Sequence, residues 1–434
     1  KSGVFAVREG PVLAENLRRF VLSKRLHQYR AQRRALALVR VGRRSAVASL
    51  GVWSMRGRWM GAWKHWIDRR FMRRFKQLPI MTVPQPELAP SLRDDAPAAM
   101  RCGGCGAKLG ADLLARVLGQ LPIQADPDIR QGIGDDAAIV ELGSSSIVTS
   151  CDSFRAMISD PYRFGRIAAH HAMNDLFAMG AVPRIALAIA SVPAMADAMM
   201  EDDLLQMMTG AVSVFSSHGV SLVGGHSAEA SELSIGFAVT GAAPNEPLLK
   251  SGMQVGDHLV LSKPIGTGVL LAGAMQGKTA ARDLMTSIEM MDQSNALAAG
   301  ILRDHGATAC TDVTGFGLLG HLGEMMRASD RAVVLDAFAV PVLGGANALM
   351  EDGVESSLQQ NNEQATKDFV VPEKHVHTPL VRLLADPQTA GGLLASVPRD
   401  NSASCIVALA QHGYVRAHVV GMVTEETMSR IRIT

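Results

Sequence analysis

Proline makes the first division in this chain, recurring at Pro84, Pro86 and Pro90 among polar residues between Pro79 and Pro97. Proline lacks the amide that helices and sheet ladders need, so the run reads as an extended linker and a domain boundary at about 79–100. Ahead of it, from Lys1 to about Leu78, lie all four tryptophans and a density of arginine found nowhere else in the chain. Trp59, Trp63, Ile67, Phe71 and Phe75 recur every four residues with Arg69, Arg70, Arg73, Arg74 and Lys76 between them, which predicts a basic amphipathic helix. Its apolar stripe has two readings. Packing on a further domain is the expected one, and contact with an anionic membrane surface is the other. Because the chain opens at Lys1, a piece of a longer product is expected.

At 434 residues the chain exceeds what one hydrophobic core organises, and two or three domains are expected. Composition, 47% hydrophobic and 19% charged, is that of a globular enzyme. The formal net charge of +2 gives no argument for a nucleic-acid partner. Five scattered cysteines do not form a secreted disulfide framework, so a reducing, cytoplasmic setting is expected. No apolar run approaches the roughly 20 residues that span a bilayer. After the linker, strand-type runs (Ser146–Thr149, Ser221–Val223, His258–Leu261) alternate with helical runs (Phe164–Met179, Asp203–Phe215), which predicts a mixed α/β enzyme. Two domains are expected, at 101–250 and 251–434.

The chemistry begins at Gly132-Ile-Gly-Asp-Asp-Ala-Ala138, a glycine-flanked turn presenting Asp135 and Asp136. Paired carboxylates suit Mg²⁺, which takes a few carboxylates together with phosphate oxygens, so further acids must converge on them. Asp152, Asp175 and Asp312 are the candidates; each alone reads first as a cap or solvated turn residue, and only their joint pattern favours a site. Asp175 stands out because small and apolar residues surround it on a predicted helix, where a carboxylate needs a partner. Glycine-rich pieces at Gly224-Gly-His-Ser227, Gly266-Thr-Gly268, Gly315–Gly320 and Gly391-Gly392 are plain turns or phosphate-holding amides. Ala272-Gly-Ala-Met-Gln-Gly-Lys-Thr279 imitates a phosphate loop, but it follows a helical run and leaves Lys278 at a solvated helix end.

Directly after the linker, Met100-Arg-Cys-Gly-Gly-Cys-Gly-Ala-Lys-Leu109 carries Cys105 and Lys108 on a glycine-rich arm. A nearby ammonium favours the thiolate, the form that handles soft atoms such as sulfur and selenium. Cys102 and Cys105 also form a Cys-x-x-Cys pair, for which zinc lacks a second pair of ligands and a reversible disulfide stays open.

In order, Gly104-Cys-Gly-Ala-Lys108, Gly134-Asp-Asp-Ala-Ala138, Asp160–Ala169, Asn174-Asp-Leu-Phe-Ala-Met-Gly180, Gly224-Gly-His226, Thr311-Asp-Val-Thr-Gly-Phe-Gly317 and Asp386-Pro-Gln-Thr-Ala-Gly-Gly392 resemble the selenophosphate synthetases. These are the selenide, water dikinases of the aminoimidazole ribonucleotide synthetase superfamily. The resemblance covers Met100 to Thr434 and implies a Mg²⁺-dependent homodimer converting ATP, selenide and water to selenophosphate, AMP and phosphate. It assigns catalysis to Cys105 and Lys108, metal binding to Asp136, Asp175 and Asp312, and ATP contacts to Lys108, Gly134, Asp135, Asp136, Asp152, Asp175, Gly224, Gly225 and His226. Ala107 stands where many members carry a second cysteine, and Ala228-Glu-Ala-Ser231 replaces a more acidic segment. The front piece Lys1–Arg18 resembles the C-terminal end of a flavin- and pyridine-nucleotide-dependent oxidoreductase. Its dinucleotide fingerprints are absent, so no flavin is expected. The rivals are a thiamine-phosphate kinase or amidine-forming synthetase of the same superfamily, and a catalytically idle selenium- or membrane-binding protein.

Overall fold

The computed structural model describes residues 3–30, 36–41, 45–50, 52–76, 102–108, 110–120, 126–374, 376, 378–425 and 430–434. The predicted linker at 79–100 lies outside them. The chain divides into two compact units, Lys1–Ala98 and Ala99–Thr434.

The front unit holds helix α1 (Gly3–Val21), strands β1 (Ala37–Val41), β2 (Ser45–Leu50) and β3 (Trp53–Gly57), and helix α2 (Arg58–Lys76), which is the predicted basic amphipathic helix. The three strands form an antiparallel sheet in the order β1-β2-β3. Ala46, Ala48 and Met60 are buried against one another, with Leu38 packed beside them. So small a cluster leaves many of the described apolar side chains of this unit exposed, among them Leu13, Leu17, Phe20 and all four tryptophans.

In the second unit, helix α3 (Ala111–Leu118) precedes a six-stranded sheet. Its strands are β4 (Ile129–Gln131), β5 (Ala138–Leu142), β6 (Ser145–Arg155), β7 (Val182–Pro193), β8 (Ser221–Ala230) and β9 (Ser234–Ala242), in the order β4-β5-β6-β9-β7-β8. Helix α4 (Pro161–Ala178) connects β6 to β7, and α5 (Asp197–Ser217) connects β7 to the parallel β8. Asp160 caps α4 by accepting from the Arg163 amide at 3.1 Å, and Pro161 occupies the first helical position, where its missing N–H costs nothing. Phe164, Ile167, Met173 and Leu176 on α4 are fully buried, each contributing about 1.5–3 kcal/mol. The two helices touch backbone to backbone. A Cβ on Gly165 would lie 1.9 Å from the Met207 carbonyl oxygen, and one on Gly210 would lie 2.0 Å from that of Tyr162.

The C-terminal half contains β10 (His258–Leu261), α6 (Thr267–Met275), α7 (Ala281–Met291), α8 (Ala296–Asp304), β11 (Ala309–Asp312), α9 (Gly317–Ser329), β12 (Ala332–Leu335), α10 (Ala346–Glu351), α11 (Gln359–Thr366), β13 (Val370–Pro372), α12 (Thr378–Leu384), β14 (Leu393–Val397), α13 (Arg399–Gln411), β15 (His418–Thr424) and β16 (Ile431–Ile433). Its seven-stranded mixed sheet runs β11-β14-β10-β15-β12-β16-β13. A single core joins the halves, with Phe154, Met173 and Phe237 from the first packed in one cluster with Val260, Cys310 and Leu393 from the second. The phosphate-loop imitation is indeed the tail of α6, which ends at Met275 with Gly277 in the left-handed region at φ 68°.

Several glycine-rich pieces carry structure and no phosphate cradle. At the start of α6 the Gly266 and Thr267 amides donate to Gln388 Oε1 at 2.8 and 3.0 Å, and the Asp386 carboxylate faces the Gly268 and Val269 amides. This helix start is filled by the chain's own acceptors. Gly391 and Gly392 allow close approach to the Val313 carbonyl and the Lys263 amide.

Candidate active site

Alternation along β6 puts Ser150 and Asp152 on the face that also carries the buried Val148 and Phe154, toward α4. On α4, His171 and Asp175 stand four residues apart and share a face. Strand and helix therefore bring their polar residues together. Ser150 Oγ donates to Asp175 Oδ2. Lys108, arriving from the arm, places Nζ 2.9 Å from Asp152 Oδ1, and His171 Nε2 lies 3.6 Å from Asp152 Oδ2. His171 Nδ1 accepts from the Ala390 amide at 2.9 Å, so the ring proton sits on Nε2 toward the carboxylate.

The turn before β5 supplies Asp136, and the end of β11 supplies Asp312. Carboxylate oxygens of Asp136, Asp175 and Asp312 lie within 4.8 Å of one another. The neighbouring carboxylates of the Gly134–Asp135–Asp136 turn part company here. Asp135 accepts from the Asp136 amide at 2.9 Å and from the Lys250 amide at 3.3 Å, so it holds the turn, while Asp136 enters the cluster. Asp136 Oδ1 accepts from Thr311 Oγ1 at 2.9 Å and pairs with Lys250 Nζ at 3.0 Å. Asp136 Oδ2 and Asp312 Oδ2 are buried and have no hydrogen-bond partner among the described residues.

Electrostatics fit this picture. Burial, and then repulsion from Asp312 and Asp135, push the Asp136 carboxyl up to about 8 against the pull of Lys250. Burial and the other carboxylates likewise raise Asp175 and Asp312. Asp152 is the exception. Burial alone would raise it, but Lys108 and then His171 outweigh that cost and leave it below its ordinary value. Burial holds His171 neutral, with a pKa down to about 3. Three closely spaced carboxylates, two of them with a buried oxygen that finds no hydrogen-bond partner among the described residues, form a donor set suited to a hard cation such as Mg²⁺.

Residues that the sequence did not flag complete the centre. Lys250 is buried and bridges Asp136 to Glu324 Oε2, 2.9 Å away. Glu324 also lies 3.3 Å from His321 Nδ1, and Thr314 Oγ1 lies 3.2 Å from His321 Nε2. His321 and Lys250 bring Glu324 down to about 2 against its burial. Only the i, i+3 spacing of His321 and Glu324 on α9 was visible in the sequence.

The arm is tied down at its start. Cys102 is a buried free thiol whose amide donates to Ser357 Oγ at 3.2 Å, while the Ser357 amide donates to its Sγ at 3.3 Å. Arg155 donates to its carbonyl at 3.1 Å. Gly104–Ala107 then forms a 3₁₀ turn that carries Cys105, whose side chain lies outside the described residues. Gly224, Gly225 and His226 are not brought to the aspartates. They lie exposed on β8, separated from β6 by β9 and β7, roughly 14 Å at ordinary strand spacing.

Comparison with known proteins follows the same division of the second unit. The N-terminal domain of AIR synthase related proteins matches residues 134–243, and the C-terminal domain matches 254–434. A selenide, water dikinase of Pelobacter propionicus is 38% identical over 333 residues, which is 76% of this chain and 95% of that protein. The chain belongs to the selenide, water dikinase family. A second member, from Clostridioides difficile, is 33% identical over 327 residues, covering 74% of this chain and 93% of its own length. Among solved structures, thiamine-monophosphate kinase from Stenotrophomonas maltophilia has a TM-score of 0.52 at 20% identity, covering 74% of this chain and 94% of that one. The E. coli hydrogenase maturation protein HypE has a TM-score of 0.52 at 19% identity, covering 71% of this chain and 89% of its own. The second unit thus shares its two-domain mixed α/β fold with proteins of other names. The fold is as expected, and family membership comes from sequence.

Proposed function

We propose that this chain makes selenophosphate from selenide, consuming ATP and water and releasing AMP and phosphate. The observation that carries this reading is the convergence of Asp136, Asp175 and Asp312 beside the Lys108–Asp152 pair, in a chain of the selenide, water dikinase family. The three aspartates would hold Mg²⁺, which supplies charge neutralisation at the ATP phosphates. Asp152, kept ionised by Lys108, and the Gly134–Asp135 turn are the proposed ATP contacts within the chain. Lys108 is tethered and half-exposed, which suits a residue that meets the transferring phosphoryl group when nucleotide enters. Cys105, one turn earlier on the same arm, is the proposed handler of selenide, and arm closure would exclude water until transfer is complete.

The domain division at 101–250 and 251–434 is proposed as the working unit, as is assembly into a homodimer. Ile185, Leu187 and Ile189 on β7 and Val223 on β8 form an exposed apolar face on the six-stranded sheet. A second copy covering it would also bring a second β8, with Gly224, Gly225 and His226, to the site. We place the enzyme in the cytoplasm. Cys102, Cys151, Cys310 and Cys405 are free thiols, and none of the described helices is long and apolar enough to cross a membrane.

Phosphorus NMR with ATP, Mg²⁺ and anaerobic selenide tests the reading. Selenophosphate and AMP should appear only with selenide, whereas ADP formed with thiamine phosphate would replace this reading with the kinase one. Asp175→Ala should abolish ATP cleavage, while Cys105→Ser should chiefly impair selenide-dependent turnover. Wild-type activity in both variants would dismiss the assignment of roles.

A further inference from the structure

The front unit takes no part in the chemistry above, yet it concentrates two properties of the chain. Lys1–Ala98 contains 21 Lys and Arg against 6 Asp and Glu, while the remaining residues contain 22 against 35. The near-neutral total therefore hides a strongly electropositive unit attached to an acidic one. All four tryptophans also lie in it, and all four are exposed.

Its apolar side chains form one surface. In the β2–β3 hairpin Leu50 pairs with Trp53 and Ala48 with Met55, so these residues share a face. On α2, Trp59, Trp63 and Trp66 follow one another at helical spacing and continue that face. Between hairpin and helix lies a concavity of about 540 Å³, walled by Leu36, Leu50, Trp53, Met55, Trp59 and Trp63 among others, with no charged residue in its lining. The hairpin turn is the most exposed part, with Val52 90% and Trp53 77% accessible. Arg58, Arg69 and Arg70 stand exposed along the same helix, and the Arg70 guanidinium lies 5.4 Å from the Trp66 ring centre.

We propose that the front unit is a membrane-surface module: the β2–β3 hairpin and α2 lie in the plane of an anionic lipid leaflet, tryptophans at the headgroup boundary and arginines on lipid phosphates. Tryptophan combines an apolar ring with a polar N–H and favours this boundary, while basic residues are drawn to anionic lipid. An in-plane amphipathic helix needs no spanning segment, and none of the described helices is one. Tryptophan and arginine together also occur on single-stranded nucleic-acid surfaces, where bases stack on the rings. Here the aliphatic turn at Leu50 and Val52 and the uncharged, mainly apolar concavity favour acyl chains.

Because all four tryptophans lie in this unit, tryptophan emission of the full chain, excited where tyrosine does not absorb, reports on it alone. Mixed with phosphatidylcholine–phosphatidylglycerol vesicles, the full chain should float with the lipid and its tryptophan emission should shift to shorter wavelength. Phosphatidylcholine vesicles should do neither at the same lipid concentration, and high salt should weaken the anionic interaction. Arg69→Glu with Arg70→Glu should weaken vesicle binding at least about tenfold. Trp59→Ser with Trp63→Ser should lose the shift while selenide-dependent turnover stays at the wild-type level. Absence of flotation for the wild-type chain would overturn the proposal whatever the variants do. An emission shift with polyuridylate but not with vesicles would overturn it in favour of a nucleic-acid surface.

Discussion

Lys250 shows how much of the centre is held by buried charge pairing. Removing one partner of a buried charge pair leaves the others uncompensated, at a cost of about 3–5 kcal/mol. Lys250→Met should therefore destabilise the second unit by that order, and Mg²⁺ should restore part of it by supplying positive charge to Asp136. Urea unfolding with and without Mg²⁺ reads both effects, and an unchanged midpoint in the metal-free variant would refute the role given to the pair. Lys263 poses a different case. Its Nζ donates to the Gln293 and Ala390 carbonyls at 2.5 and 3.3 Å, and a neutral amine has enough hydrogens for both. Burial pushes it from the ordinary 10.5 down to about 7, against the pull of Asp312 and Asp292, with the neutral His170 and His171 as its other titratable neighbours. Between those two pH values the unfolded chain binds a proton that the folded chain does not, so stability should rise with pH by up to about 1.4 kcal/mol per unit. Below pH 7 both states are protonated and this contribution flattens. In a pH series of urea midpoints the wild type should gain on Lys263→Met across the window, and a constant difference would count against the buried neutral lysine.

Helix α4 is the element on which the centre depends, since it carries His171 and Asp175 and crosses α5 with Gly165 and Gly210 in backbone contact. Gly165→Val forces the helices apart, so a loss of about 1–3 kcal/mol or more is expected, with weaker Mg²⁺ binding because Asp175 moves with the helix. Thermal unfolding and calorimetric Mg²⁺ titration measure the two losses, and wild-type values in both would deny the crossing its importance. Much of this element was legible beforehand. Asp160-Pro161 marks its start, the Ala-rich run marks its burial, and Asp175 within that run signals a needed partner. Asp136 was legible from its glycine-flanked turn and Asp312 from the Thr311-Asp-Val-Thr-Gly-Phe-Gly317 motif. Lys250 was not, because its burial comes from Asp136 and Glu324, which are remote in sequence from it and from each other. Gly266, Gly391 and Gly392 left both readings open, turn or phosphate-holding amide, for the same reason. A glycine needed for backbone packing has the same sequence signature as one that cradles phosphate. In the front unit α2 followed from its periodicity, whereas the strands beside it, such as Ala37–Val41 and Ser45–Leu50, are short and carry apolar residues on both faces, so the alternation of a half-buried sheet is not seen.

At the scale of the molecule, the second unit joins two sheets through one core and places its acidic centre where they meet, with Asp136 and Asp175 from the first half and Asp312 from the second. Moving either half displaces part of the proposed metal ligand set, so on that reading ligand binding and domain packing are linked. The exposed edge strand β8 does not fit a complete site in one copy. Gly224, Gly225 and His226 are the ATP contacts expected from the resemblance, yet three strand spacings separate β8 from β6. The apolar face of Ile185, Leu187 and Ile189 beside it gives a reason for two copies to pair, and a symmetric dimer would exchange β8 between two sites. This arrangement makes a quantitative demand. Asp175→Asn and His226→Ala should each be inactive alone, but an equal mixture refolded together should regain roughly a quarter of wild-type turnover. Half of the dimers would then be mixed, and each mixed dimer would contain one site with an unaltered aspartate set and an unaltered β8. Selenophosphate formation measured by phosphorus NMR on the mixture decides the matter. Recovery near that level requires the two copies to share each site, and no recovery, with dimers confirmed by light scattering, would confine every catalytic contact to a single chain.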